Sequence, residues 1–531
     1  MKLCFYGAAH AVTGSCHCVS ANGRHILIDC GLQQGRDEVD NTHLPFASSL
    51  IDYVIVTHAH IDHSGRLPLM AKQGFNGGVY ASAMTCKLLD IMLRDSAHIQ
   101  ESDAALENRK GSRAGRAPVE PLYTLADAEA AVELLHPVSY GEKVELCPGI
   151  SFRLTDAGHL LGSSYVELWI NEDGVEKKLV FSGDIGNCDQ PIIRDPQPVC
   201  DADYVVMEST YGDRNHDQVG SYTGELAEII DETLGHGGNV VIPAFAVGRT
   251  QELLYFLREI KEQHMVTSMP HFKVVVDSPL AAEATHIFSG DLTGYLDEDA
   301  IAILQRGDHL FHLDDLVITS STDESRQLNE DPTPKVIISA SGMCDAGRIR
   351  HHLKHNLWRA ECTILFVGFQ APGTLGRSLV EGKKYVRLFG EDVAVNAKIV
   401  NFQGLSSHAD HDHLLAWAQQ FDAPKPTEIF VVHGEGFVSE AFAAELRRIG
   451  YSAHAPLYQE EYDLAAGAIA VEGMEMPKKS ASKWQAGSPA YRKLEEAGRQ
   501  LELVIQKNKG GTNKDLAKFT DQLLALIQKW Q

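Results

Sequence analysis

The stretch that constrains this chain most is Thr57-His58-Ala59-His60-Ile61-Asp62-His63. It follows Tyr53-Val54-Ile55-Val56, an apolar run that predicts a short buried strand. In extended chain alternate side chains point the same way, so His58 and His60 can aim at one ion. A bend just beyond them swings Asp62 and His63 toward a second ion beside the first. Ser64-Gly65-Arg66, ahead of Leu67-Pro68-Leu69-Met70, reads as the start of a helix. Imidazole nitrogen and carboxylate oxygen suit zinc, and manganese or iron less strictly. Order, spacing and strand context together signal a two-metal hydrolase rather than a polar loop that happens to be rich in histidine.

The same plan recurs along the chain. His25–Ile28 predicts a strand that exits at Asp29, before Gly31 turns the chain. Asp29 reads as an acid that steadies a ligand histidine through its second ring nitrogen, because the cluster downstream already supplies enough donors. Phe152–Thr155 leads to His159, Leu179–Phe181 to Asp184, Tyr204–Met207 to Glu208, and Glu428–Val432 to His433. In a layered α/β fold such strand exits share one edge and can converge.

At 531 residues the chain is too long for one core. No apolar run reaches the roughly 20 residues that span a bilayer, and Leu3-Cys4-Phe5-Tyr6 reads as a first strand, too short for a signal-peptide core. Ten cysteines without a CxxC pair fit reduced thiols and a cytoplasmic protein. Cys16-His17-Cys18 reads as an alternating strand with buried thiols rather than a metal motif. The net charge of −25 argues against a broad electrostatic grip on nucleic acid. It leaves open a local basic cleft, and bound divalent cations would reverse the sign inside the site.

Residues 82–135 read as mostly helical, with Asn108–Arg116 as a basic, glycine-broken loop. From 210 the texture changes to strand–loop–helix units, which imply a parallel sheet with covering helices. Loops there carry Gly248-Arg249, Ser341-Gly342 with Gly347-Arg348, and Gly376-Arg377 near helix starts. Helix N-terminal amides plus a guanidinium form anion sites, so Arg249, Ser341, Gly342, Gly347, Arg348 and Arg377 are candidate phosphate contacts. Around 395 the earlier style returns, with Ala397–Phe402 as a strand before Ser406-Ser407-His408-Ala409-Asp410. The expected division is 1–209 and 396–460 as one domain, 210–395 inserted into it, and 461–531 as a C-terminal helical extension. That extension holds a lysine-rich linker at 478–483 and helices at 489–506 and 513–530, and reads as a cap or a homo-oligomer contact.

With these pieces in place, the sequence resembles the metallo-β-lactamase superfamily and, within it, the β-CASP nucleases, a group that includes the pre-mRNA 3′-end-processing endonuclease and its bacterial and archaeal ribonuclease relatives. The HxHxDH stretch marks the superfamily; Glu208 in Met-Glu-Ser-Thr-Tyr-Gly, His408 in Ser-Ser-His-Ala-Asp and His433 in Val-Val-His-Gly-Glu narrow it to the β-CASP branch. The resemblance covers 1–460. It implies an α/β fold, an αββα sandwich with an inserted β-CASP parallel-sheet domain. It also implies that His58, His60 and His159 take one metal and Asp62, His63 and His433 the other, with Asp184 bridging. Asp29 would steady the histidines, and Glu208 would pair with His408, the leaving-group acid. A histidine at position 433 goes with RNA substrates in that family.

Two divalent ions, zinc first, would make this a two-metal phosphodiesterase acting on RNA, internally or from the 5′ end, and leaving 5′-phosphates. The alternatives are a small-molecule phosphodiester or thioester hydrolase, which has no need of so large an insertion, a DNA nuclease, and a non-catalytic RNA-binding scaffold, which has no need of a full donor set.

Overall fold

The computed structural model describes residues 1–476 except 35–40, 114, 217–220, 320, 369, 371–372 and 403–405, and beyond them 501, 504–505 and 513–530. The chain forms two compact units, Met1–Lys478 and Lys479–Gln531. The second contributes the helix Asn513–Trp530. The linker at 478–483 and most of the helix expected at 489–506 lie outside the described residues.

Among the described residues of the first unit, two mixed sheets of eight and seven strands provide the frame. Their facing sides are set by alternation. Leu3, Phe5, Val19, Ile26 and Ile28 of the first sheet meet Phe152, Leu154, Leu168, Phe181 and Val206 of the second in one continuous core. Residues of opposite parity point outward and need a helical cover. On the second sheet Val205, Met207 and Val431 pack against Leu414 and Trp417 of the helix His411–Gln419 and Phe442 of Gly436–Arg448. On the first, Leu27 and Val54 pack under Leu88, Leu89 and Leu93 of the helix Ala83–Ser112. That helix continues through Asn108–Ser112, so the first five residues of the stretch expected to be a loop are helical, with Gly111 buried.

The six-stranded sheet built from residues 240–401 is parallel throughout. Its strands are continuous apolar runs such as Val240–Pro243 and Lys335–Ser339, as expected of a sheet covered on both faces. Strands at two places bear on the expected division. The strand Lys398–Asn401 pairs with Thr363–Phe366 and is the edge of this parallel sheet, past the expected boundary at 395. The strands Glu461–Asp463 and Ala468–Val471 extend the eight-stranded sheet beyond Lys2–Gly7, so the chain is still sheet past 460. The reason is the same at both places. A strand's own residues encode its faces, while the neighbour it pairs with is set elsewhere in the chain.

Candidate metal centre

Strands of the two large sheets deliver their exits to one edge, and local chemistry aims each side chain. His60 ends the extended stretch and caps a single helical turn, Ile61–Ser64, whose His63 and Ser64 amides donate to the His60 carbonyl. That reversal sends Asp62 and His63 across from His58 and His60. The segment after Asp29 is zipped to this turn by Cys30 N–H to His63 O, at 2.8 Å, and Leu32 N–H to Ile61 O, at 2.9 Å. The loop bearing His408 is clipped beside Asp184, with Ala409 N–H donating to Ile185 O at 2.8 Å. Asp29 and His433 hold left-handed backbone, with φ of 62° and 50°. Such a conformation costs a non-glycine residue on the order of 1 kcal/mol, and its placement at two inward-facing side chains points to function.

The result is two sets of donor atoms sharing one carboxylate. In the first, His60 Nδ1 lies 3.0 Å from His58 Nε2 and 3.3 Å from His159 Nε2, while Asp184 Oδ2 lies 3.5 Å from both His58 and His159. In the second, His63 Nε2 lies 3.1 Å from His433 Nε2 and 3.2 Å from Asp184 Oδ1, and His433 Nε2 is 3.6 Å from both Asp184 Oδ1 and Asp62 Oδ2. Donors on one tetrahedral zinc stand roughly 3.3 Å apart, given Zn–N bonds of about 2.0–2.1 Å. Both sets have that spacing, and each takes a different oxygen of Asp184.

The outer nitrogens of the same rings fix what faces inward. His63 Nδ1 meets Asp29 Oδ2 at 2.7 Å, and His159 Nδ1 meets the Ser407 carbonyl at 3.1 Å. Thr57 Oγ1 donates to Asp29 Oδ2, so it accepts from His58 Nδ1 at 3.1 Å. Thr210 Oγ1 donates to the His433 carbonyl and accepts from His433 Nδ1, also at 3.1 Å. In these four rings Nδ1 therefore carries the proton and Nε2 faces the centre, whereas His60 presents its Nδ1. Burial holds the His58 and His159 imidazoliums well below their ordinary pKa, which keeps these rings neutral. Asp184 Oδ1 is buried and accepts no hydrogen bond. Converging lone pairs beside an unbonded carboxylate oxygen are the chemistry of a divalent cation pair, and the donor set fits one.

At the rim, His408 Nδ1 lies 3.1 Å from Glu208 Oε2, and His408 Nε2 lies 3.9 Å from Asp184 Oδ2. Glu208 is fully buried and is held by the Ile185 and Thr210 amides. Burial alone would lower the His408 imidazolium, but Glu208 and then Asp184 outweigh it and lift its pKa to about 9.

The candidate phosphate contacts fare differently. Arg249 is buried and paired with Glu252. Arg348 is turned to buried Asp277 at 2.7 Å, and Arg377 bonds Glu381, just past the end of its helix, at 2.7 Å. Ser341 bonds the Ala346 carbonyl at 3.3 Å, and Gly347 closes tightly on Ala340. Gly342 lies against Phe245, whose ring stands 6.4 Å from that of His60. Sequence reasoning missed Thr57 and Thr210 as supports and Phe245 as a neighbour of the centre. A hydroxyl residue next to a metal-ligand strand exit is the only sequence signal for the first two.

Three family profiles match the chain: a beta-lactamase superfamily domain over 24–236, a Beta-Casp domain over 250–379 and a Zn-dependent metallo-hydrolase RNA specificity domain over 392–456. The chain belongs to the β-CASP branch of the metallo-β-lactamase superfamily. It is 37% identical to "Ribonuclease TTHA0252" of Thermus thermophilus over 82% of this chain and 93% of that protein. It is 31% identical to "Transcription termination factor FttA" of Methanocaldococcus jannaschii, over 85% and 69% of the two chains. An "RNase J-like protein" of the same organism is 28% identical over 83% of this chain and 94% of that one.

Proposed function

We propose that the chain is a ribonuclease that holds two divalent ions, zinc first, and hydrolyses RNA phosphodiester bonds to leave 5′-phosphates. The observation that carries this is the pair of donor sets joined by the two oxygens of Asp184, with the His408–Glu208 pair at their rim. The ribonuclease names of the relatives and the RNA specificity domain match favour RNA as substrate. Such ions supply Lewis-acid polarisation of the phosphoryl group and make water a nucleophile near neutral pH.

The chain's own residues do the rest. His58, His60 and His159 hold one side of the centre and Asp62, His63 and His433 the other, while Asp184 fixes their separation. Asp29, Thr57 and Thr210 lock the ring tautomers and orientations. His408 keeps its Nδ1–H on Glu208, so its Nε2–H is free to reach the departing ribose 3′-oxygen and protonate it. We assign the catalytic domain to 1–209 together with 402–478, and the parallel-sheet insertion to 210–401. Among the described residues no helix is long and apolar enough to cross a membrane, and the unpaired cysteines favour the cytoplasm.

The test is incubation of purified protein with labelled single-stranded RNA, DNA and a generic phosphodiester, with and without chelator. Chelator-sensitive cleavage of RNA with 5′-phosphate ends is expected. Intact RNA alongside hydrolysis of the small ester would reassign the protein to small-molecule chemistry.

A further inference from the structure

The strand Val240–Pro243 exits into Ala244-Phe245-Ala246-Val247-Gly248 and then the helix Arg249–Glu262. Ala244, Ala246 and Val247 are buried, while Phe245 turns outward with 43% of its surface exposed. A solitary exposed phenylalanine is ordinary on a protein surface. This one stands beside a metal-ligand ring, 6.4 Å from His60 between centroids, at the wall between the parallel sheet and the donor edge.

The ring is also held. Thr250 clamps the Phe245 carbonyl through both its amide, at 3.3 Å, and its hydroxyl, at 2.7 Å. Gly342 backs one flank so closely that a Cβ there would come within 3.1 Å of the ring. Gly248 lies against the Leu160 side chain, one residue beyond the ligand His159. The loop is therefore anchored to both the parallel sheet and the metal-ligand loop, with a half-exposed ring tilted 44° to that of His60.

We infer that Phe245 is the stacking platform for the base of the nucleotide adjoining the scissile phosphate, an inference that rests on the ribonuclease reading above. Every base offers a π-face, so such a contact tolerates any sequence but requires an unpaired strand. It gives an acidic protein a grip on RNA that does not depend on positive charge. It also sets the register, because seating a base on a fixed ring beside His60 brings its neighbouring phosphate to the donor edge.

The experiment compares wild type, Phe245→Ala and Phe245→Trp on one single-stranded RNA and on the same RNA with an abasic ribose placed at each position around the cut. On intact RNA the alanine variant should lose roughly 5- to 150-fold in kcat/KM, the range of a base–aromatic stack, and the tryptophan variant should keep most of its activity. An abasic ribose at one position next to the cut should cost wild type a similar factor and cost Phe245→Ala nothing further. Metal content should be unchanged in both variants. Losses from the variant and the abasic site that multiply, an alanine variant as active as wild type, or loss of metal from Phe245→Ala would each overturn the stacking role. Failure of wild type to cut any RNA would instead overturn the ribonuclease reading from which it starts.

Discussion

Gly31 is where the metal centre depends on a missing side chain. A Cβ at this position would stand 1.5 Å from the Asp62 carbonyl oxygen and 2.8 Å from the His63 amide nitrogen. Ordinary non-bonded contact is about 3.5 Å, so Gly31→Ala must push the Asp62–His63 turn away by roughly 2 Å. Metal sites tolerate about 0.2 Å in donor distance, which is ten times less. The same displacement opens the bonds Cys30 N–H to His63 O and Leu32 N–H to Ile61 O, at a cost of about 2 kcal/mol. Only the second donor set contains Asp62 and His63; His58, His60, His159 and Asp184 stay where they are. The variant should therefore drop from two bound metals per chain to one, with a lowered melting temperature and little nuclease activity. Elemental analysis after dialysis, with circular dichroism to follow folding, makes the measurement. Two metals at full occupancy and an unchanged melting temperature would refute the geometry.

Three further outcomes are expected. His408→Ala should keep both metals and lose about 10²- to 10⁴-fold in kcat, the usual contribution of a general acid; a metal-depleted variant would contradict the role. Asp184→Ala removes the carboxylate common to both donor sets and should empty the site, so a normal metal content would count against bridging. His454 is lowered by burial but raised further by hydrogen bonding to Glu428 and Glu460, to a pKa of about 9. Being raised above its ordinary 6.5, it contributes stability that is complete below pH 6.5 and lost as pH climbs through 9, up to about 3 kcal/mol. The stability gap between wild type and His454→Asn should shrink over that range, and a gap independent of pH would show that the ion pairs contribute nothing.

The donor residues were legible in the sequence because histidine, aspartate and glutamate at strand exits are chemically conspicuous, and strands reveal their ends through turn residues. What the chain does between those ends was harder to read. Lys398–Asn401 looks the same whether it closes the parallel sheet or opens the next domain, because pairing is a long-range choice. Arg249 lies near a helix start, where an anion site is plausible, yet Glu252 three residues on is its neighbour on the helix surface and claims the guanidinium. Thr210 bonds the ring nitrogen of His433 and Thr57 bonds the carboxylate of Asp29, contacts that appear only once segments distant in sequence lie side by side. Phe245, between two alanines after an apolar strand, cannot be told from a core residue until its direction is known.

His433 reaches the centre on the strand Glu428–Val432, which pairs with Tyr204–Glu208 more than two hundred positions earlier. A ribosome making this protein must therefore finish the whole insertion before the last imidazole arrives. Until then the growing polypeptide carries His58, His60, Asp62 and His63 but has no complete second cage, and so no nuclease close to the message that encodes it. On the proposed two-metal reading, activity begins only when the strand behind His433 has docked, which ties the first turnover to completed folding of the unit.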